Sequence, residues 1–319
     1  VGLGRPGPCR QPEPPPDRGP VDARPITRPR GAAPMTRPAR TVGCALDYDL
    51  SAPSTFLFAV QPATSAAARQ RVLGEALTLP EGIVPETWEE AGSTRWIRFL
   101  AQPGPLTLRY EASVAADPVI HDAAAINEIP VGELPHPALP FLLASRYCES
   151  DRLEGFCRAQ FGALQKGHAR IAAVCDFIHQ RTVYQRGATD VRTTALDVLT
   201  DAAGVCRDFA HLGIAMTRAL GVPARFLAAY APHLVPADFH AVFEALLMGP
   251  DGPRWYAFDA TRQTALDGVA RIAVGQDASQ VAFGSIWGAA QQSGMTLRCD
   301  PVPGAPEEWT TAAVSVSDS

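Results

Sequence analysis

The chain contains no Cys-x-x-Cys pair, no two histidines four residues apart and no apolar run near membrane-spanning length. Structural zinc sites draw on the first two patterns, and a transmembrane helix needs about 18 consecutive apolar residues. Seven cysteines, at 9, 44, 148, 157, 175, 206 and 299, are an odd set, which excludes a complete disulfide framework. Beyond the first 34 residues no basic run could track a phosphate backbone, and the formal net charge is -5. The N-terminus also lacks the apolar h-region of a signal peptide. These absences lead us to expect a cytoplasmic protein with no metal, no cofactor, and no nucleic-acid or membrane partner. Oligomeric state and pathway have no signature in the sequence.

At 319 residues, 46% of them apolar, the chain can build a sizeable core. Residues 1–36 are rich in proline and arginine and poor in large apolar side chains, so a disordered tail is expected. Met35 leaves open whether residues 1–34 belong to the functional protein. The segments "CALDYDL", "TFLFAV", "RVLGEALTL", "TRWIRFL" and "LTLRYEASV" alternate in polarity between Pro, Gly and Ser clusters, which predicts a small all-β domain over 37–120. "IPVGELPHPALP" marks 121–140 as a proline-rich linker. A catalytic domain is expected over 141–300, and a flexible polar tail over 301–319, with Trp287 packed.

From residue 168 the periodicity is helical. "HARIAAVCDFIHQRTVY" predicts a helix ending near Val183, with Cys175 and His179 as packing residues. In "DAAGVCRDFAH" a turn precedes a second helix. Its residues Val205, Phe209, Leu212, Met216, Ala219 and Leu220 fall on one stripe, and Gly221 and Pro223 stop it. Cys206 opens this helix, where free backbone N–H groups and the helix dipole favour a thiolate. Free cysteine is also among the most buried residue types, so the helix alone leaves packing open.

A base and an orienting acid decide between the two. "ARFLAAY", "DFHAVFEALL" and "PRWYAFDATR" read as strands, the last two joined at "GPDG" as a hairpin. A turn centred on Asp251 would put His240 and Asp259 on opposite faces. A four-residue turn over Gly249–Gly252 sets Asp259 level with Val242, making His240 its diagonal neighbour on the same face. Cys206, His240 and Asp259 then supply nucleophile, base and orienting carboxylate. The Cys206 N–H is one oxyanion donor, and Tyr184 or Gln185 is a candidate for the second. His211, about 140° round the helix from Cys206, is expected to pack, and Asp208 to favour the helix start.

"ATDVRTTALDVLTDAAGVCRDFAHLGIAMTRALGVPARFLAAY", "DFHAVFEA" and "WYAFDATR" resemble the core of bacterial transglutaminase-like superfamily proteins. The segment 40–118 resembles the β domain that accompanies that core, "FLLASRYCESD" resembles the join, and the likeness runs to about residue 290. The resemblance implies an α+β fold: a papain-like core with a cysteine-bearing helix on an antiparallel sheet, preceded by a small all-β domain. It places the triad on Cys206, His240 and Asp259. Val242 stands where relatives often carry an aromatic, and Ala260 where they often carry proline, so a different pocket shape is expected. The implied chemistry is a thioester at Cys206, formed from a peptide, isopeptide or glutamine-type amide of a peptide or protein substrate. Water or an amine then resolves it, hydrolysis being favoured because water is at 55 M and no residue suggests an acceptor tunnel. The alternative is a non-catalytic peptide- or protein-binding module of the same fold.

Overall fold

The computed structural model describes residues 38–90, 94–301 and 310–318. The expected N-terminal tail lies outside the described residues. In chain order the first strands are β1 (Arg40–Leu50), β2 (Ser54–Phe58), β3 (Gln70–Thr78), β4 (Glu86–Glu89), β5 (Arg95–Ala101), β6 (Gly104–Ala116) and β7 (Val119–His121). Next come α1 (Glu154–Phe161), α2 (His168–Arg181), the short strand β8 (Val183–Tyr184), α3 (Ala195–Asp201), the short strand β9 (Ala203–Gly204) and α4 (Cys206–Ala219). The remaining strands are β10 (Ala224–Tyr230), β11 (Phe239–Gly249), β12 (Gly252–Phe258), β13 (Ala270–Gly275), β14 (Gly284–Trp287), β15 (Ala290–Cys299) and β16 (Ala313–Ser317).

The architecture is α+β. Two four-stranded antiparallel sheets, ordered β15-β1-β6-β3 and β14-β2-β5-β4, carry the N-terminal region. Alternation along β1 and β2 turns Tyr48, Phe56 and Phe58 inward. Tyr48 meets Phe56 at 5.2 Å between ring centroids, and Phe56 stacks on Phe99 at the same distance. Each of these sheets borrows an edge from late in the chain, since β15 pairs along β1 and β14 along β2. This differs from the expected boundaries: strands from 141–300 complete the sheets of 37–120, and the described residues between 38 and 318 form one compact body. Without β14 and β15, strands β1 and β2 would be open edges. Trp287, at the rim of β14, is 60% exposed rather than packed.

A six-stranded antiparallel sheet, β13-β10-β11-β12-β16-β7, forms the second half. The expectation of a flexible tail over 301–319 fails at β16, whose five residues are all buried between β12 and β7. The alternation in "AVSVS" explains this, because Val314 and Val316 join Leu227, Val242 and Ala257 in one apolar cluster. Val314→Asp should destabilise the fold by about 3 kcal/mol or more, since the charge has no partner there. Urea unfolding reads this, and a loss below about 1 kcal/mol would mean the strand adds little. The segment 121–140 is likewise no free linker. Ile129, Leu134 and Ala138 pack on Leu246 and Trp255, and Asn127 exchanges both backbone hydrogen bonds with Met248.

Helix α4 is enclosed rather than amphipathic at the surface, every residue from Asp208 to Arg218 being buried. Gly213 allows its close approach to β11, because a Cβ there would fall 2.4 Å from the Phe243 ring. The stop is as expected. Gly221 takes φ +81°, and the N–H groups of Gly221 and Val222 donate to Arg218 O and Thr217 O, a Schellman closure. Helix α2 ends at Arg181 with Cys175 buried, whereas His179 is exposed and its Nδ1 bonds Ala260 O at 3.2 Å. Among the described residues no helix is long and apolar enough to cross a membrane.

Candidate active site

Cys206 is the first residue of α4, and what precedes it sets its position. Strands β8 and β9 pair in parallel, tying Tyr184 to Gly204. Gly204 leaves room for Asp208 to fold back, since a Cβ at 204 would sit 2.7 Å from the Asp208 Cβ. The buried Asp208 carboxylate accepts from Val205 N at 2.9 Å, from Thr189 Oγ1 at 2.6 Å and from the Arg207 guanidinium at 3.0 Å. A carboxylate capping the first turn complements the helix dipole and fixes the direction in which Cys206 points. The thiol is half-buried and lies 3.9 Å from Phe239 O, one residue before His240.

The hairpin has the register expected from a turn over Gly249–Gly252. Gly249 pairs with Gly252 and Phe243 with Phe258, which sets Asp259 level with Val242. His240 Nε2 and Asp259 Oδ2 are 3.0 Å apart, with both side chains 1% exposed. The other Asp259 oxygen accepts from Thr261 N at 2.8 Å and Thr261 Oγ1 at 2.6 Å, and Gln263 N donates to Oδ2 at 3.2 Å. With Nε2 engaged, Nδ1 is left for the thiol.

Burial by itself would lower the His240 pKa, but the Asp259 carboxylate, followed by the Cys206 thiol, raises it to about 10. Burial opposes ionisation of Asp259, while His240 and then Thr261 hold its pKa below the ordinary carboxylate value. A histidine raised from 6.5 to about 10 stabilises the fold fully below pH 6.5, and that contribution is lost as pH rises through about 10. The urea midpoint should therefore fall over that interval, and His240→Ala should flatten the decline. Equal slopes in the two proteins would contradict the coupling.

Of the two candidate second oxyanion donors, the structure brings one to the cysteine. The Tyr184 hydroxyl contacts both the backbone and the thiol of Cys206, and burial first, then Cys206, pushes its pKa well up, so it keeps its proton. Gln185 is exposed and its N–H is bonded to Gly204 O. Neighbouring residues of an extended segment face opposite ways, so only one of the pair can face Cys206. His211 packs as expected: it stacks on Tyr147 at 4.9 Å, its Nε2 accepts from Ala278 N, and burial lowers its pKa to about 3. Thr261 was not singled out in the sequence, although a hydroxyl two residues after an aspartate is a readable turn pattern.

Cys206 opens into a cleft of about 530 Å³. Its lining includes the apolar Phe239, Val281, Phe283 and Met295 and the polar Arg186, Thr189 and Asp238. The β15-β1-β6-β3 sheet therefore contributes to the cleft through Met295 of β15.

A sheet-backed, helix-start cysteine beside a buried His–Asp pair is the site of a cysteine-dependent enzyme, and comparison with known proteins agrees. Residues 156–260 match the family model of the transglutaminase-like superfamily, a span that holds Cys206, His240 and Asp259. A candidate cysteine protease from Cytophaga hutchinsonii has a solved structure that is 34% identical, covers 88% of this chain and 98% of its own, and superposes with a TM-score of 0.82. An uncharacterised protein from Mycobacterium leprae is 28% identical over 121 residues, 35% of this chain. That match spans 42% of the relative, less than half its length. The chain belongs to the transglutaminase-like superfamily.

Proposed function

We propose that the protein cleaves amides of peptide or protein substrates through a thioester on Cys206, water being the acceptor. The observation that carries this is the buried imidazole of His240, held by Asp259 on one side and facing the half-buried thiol on the other. The Cys206 thiolate attacks the amide carbonyl, and negative charge moves to its oxygen. The Cys206 N–H and the Tyr184 hydroxyl are the donors for that oxyanion. The intermediate collapses as His240 gives its proton to the leaving nitrogen, and the amine departs. Water then attacks the thioester, His240 takes a proton from it, and thiolate and carboxylic acid separate. Asp259 fixes the ring orientation throughout and stabilises the imidazolium.

A thioester that forms can be intercepted. Peptides from a digested proteome, incubated with the protein and hydroxylamine, should yield hydroxamates identifiable by mass spectrometry with wild type and none with Cys206→Ala. Peptide retention by both proteins without hydroxamate or hydrolysis would favour a binding module of the same fold instead.

A further inference from the structure

A second hollow of about 360 Å³ adjoins the cleft, and Tyr184, Arg186 and Asp238 line both. At their boundary stands an ion pair, Arg186 Nη2 to Asp238 Oδ2 at 2.8 Å, joining the loop after β8 to the residue before β11. The two side chains are 50% and 31% exposed, and pairs so exposed are weakly held.

We propose that the two hollows are one groove for an extended polypeptide, bridged by Arg186–Asp238, in which the Cys206 chamber selects a bulky apolar side chain on the acyl side of the cleaved amide. This rests on the reading of Cys206 as the nucleophile. The two sides follow from proton transfer. Cys206 lines only the first chamber, so the acyl group, bonded to Sγ, stays there. The second hollow is bordered by Gln263, whose N–H bonds Asp259, and by Asp238, two residues before His240. An amine that takes its proton from His240 leaves on that side.

The selectivity follows from the apolar lining. Phe239 and Phe283 stack at 4.3 Å with their planes 18° apart, and Val281 and Met295 line the same chamber. The Arg207 guanidinium is engaged by the Asp208 carboxylate and by Asp190 O. A charged side chain laid against these apolar residues, rather than against Arg186 or Asp238, would lose hydration without gaining a partner. Burying a leucine- or phenylalanine-sized side chain gains enough for a preference of roughly 10- to 100-fold.

Peptidyl chloromethyl ketones test this, because they occupy only the acyl side: the thiolate carbon–sulfur bond forms as chloride leaves. Probes with Phe, Leu, Gly, Glu or Lys at the carbonyl-bearing residue are reacted with the full chain, and the Cys206 adduct is followed by mass spectrometry. Each rate is divided by the iodoacetamide rate of the same protein. Phe and Leu probes should react at least tenfold faster than the others. Phe283→Ala should reduce that preference, and Met295→Glu, at a 41% exposed position, should raise the Lys probe relative to Phe. Equal normalised rates across the probes, with Cys206 still labelled, would overturn the proposed selectivity alone. Failure of iodoacetamide to label Cys206 ahead of the other cysteines would instead remove the reading beneath it.

Discussion

Cys206→Ala should abolish amide turnover, with a fall of roughly 10⁵- to 10⁶-fold, and leave the fold within about 1 kcal/mol of wild type. The two outcomes separate because the thiol does little structural work. Among the described residues its one hydrogen bond as a donor is a long one, 3.9 Å to Phe239 O, and it is half-buried rather than sealed in the core. The other described cysteines are poor competitors. Burial raises the pKa of Cys44 and Cys299 to about 11 and of Cys157 to about 12, and pushes Cys148 and Cys175 up further. Iodoacetamide at neutral pH should therefore modify Cys206 before these five, with loss of activity in step with that single adduct. Residual turnover above about 1% of wild type would show that another group carries the reaction.

The parts of the site that were legible in the sequence were those set by local rules. Helical spacing marked α4 and put Cys206 at its start, and Gly221 predicted the stop that the Schellman closure makes. The register of the hairpin needed only the turn at "GPDG", because side-chain parity in a strand is a matter of counting. What lay hidden depends on partners far along the chain. The polar pattern of β15 gives no sign that it pairs with β1, nearly 250 residues earlier, and "AVSVS" reads as a small-residue tail until β12 and β7 stand on either side of it. Proline in 121–140 signalled irregular backbone correctly but not its packing on Trp255. That Tyr184 is the one that contacts Cys206 depends on the pairing of β8 with β9, which no local pattern shows.

Asp259→Asn should lower kcat by about 10³- to 10⁴-fold with a smaller change in KM, and should also weaken the fold. The carboxylate accepts four hydrogen bonds, from His240, Thr261 N, Thr261 Oγ1 and Gln263 N, two on each oxygen. An amide has one accepting oxygen, so its NH₂ group must face N–H donors on one side or the other, at a cost of about 2–4 kcal/mol in a buried site. If the oxygen stays toward Thr261, the NH₂ points at His240 Nε2, which then accepts, and the ring holds its proton at Nδ1 in the neutral form. Burial then acts on His240 without the carboxylate to oppose it, and its pKa falls from about 10 toward the acid side. The decline in stability between pH 6.5 and 10 should disappear in the variant, and the acidic limb of its residual activity should shift. Urea melts across pH, together with kcat and KM, distinguish this from simple loosening of the hairpin. A merely structural role for Asp259 would lower stability by the same amount at every pH, and Cys206→Ala combined with Asp259→Asn would then show the stability loss without any change in its pH slope.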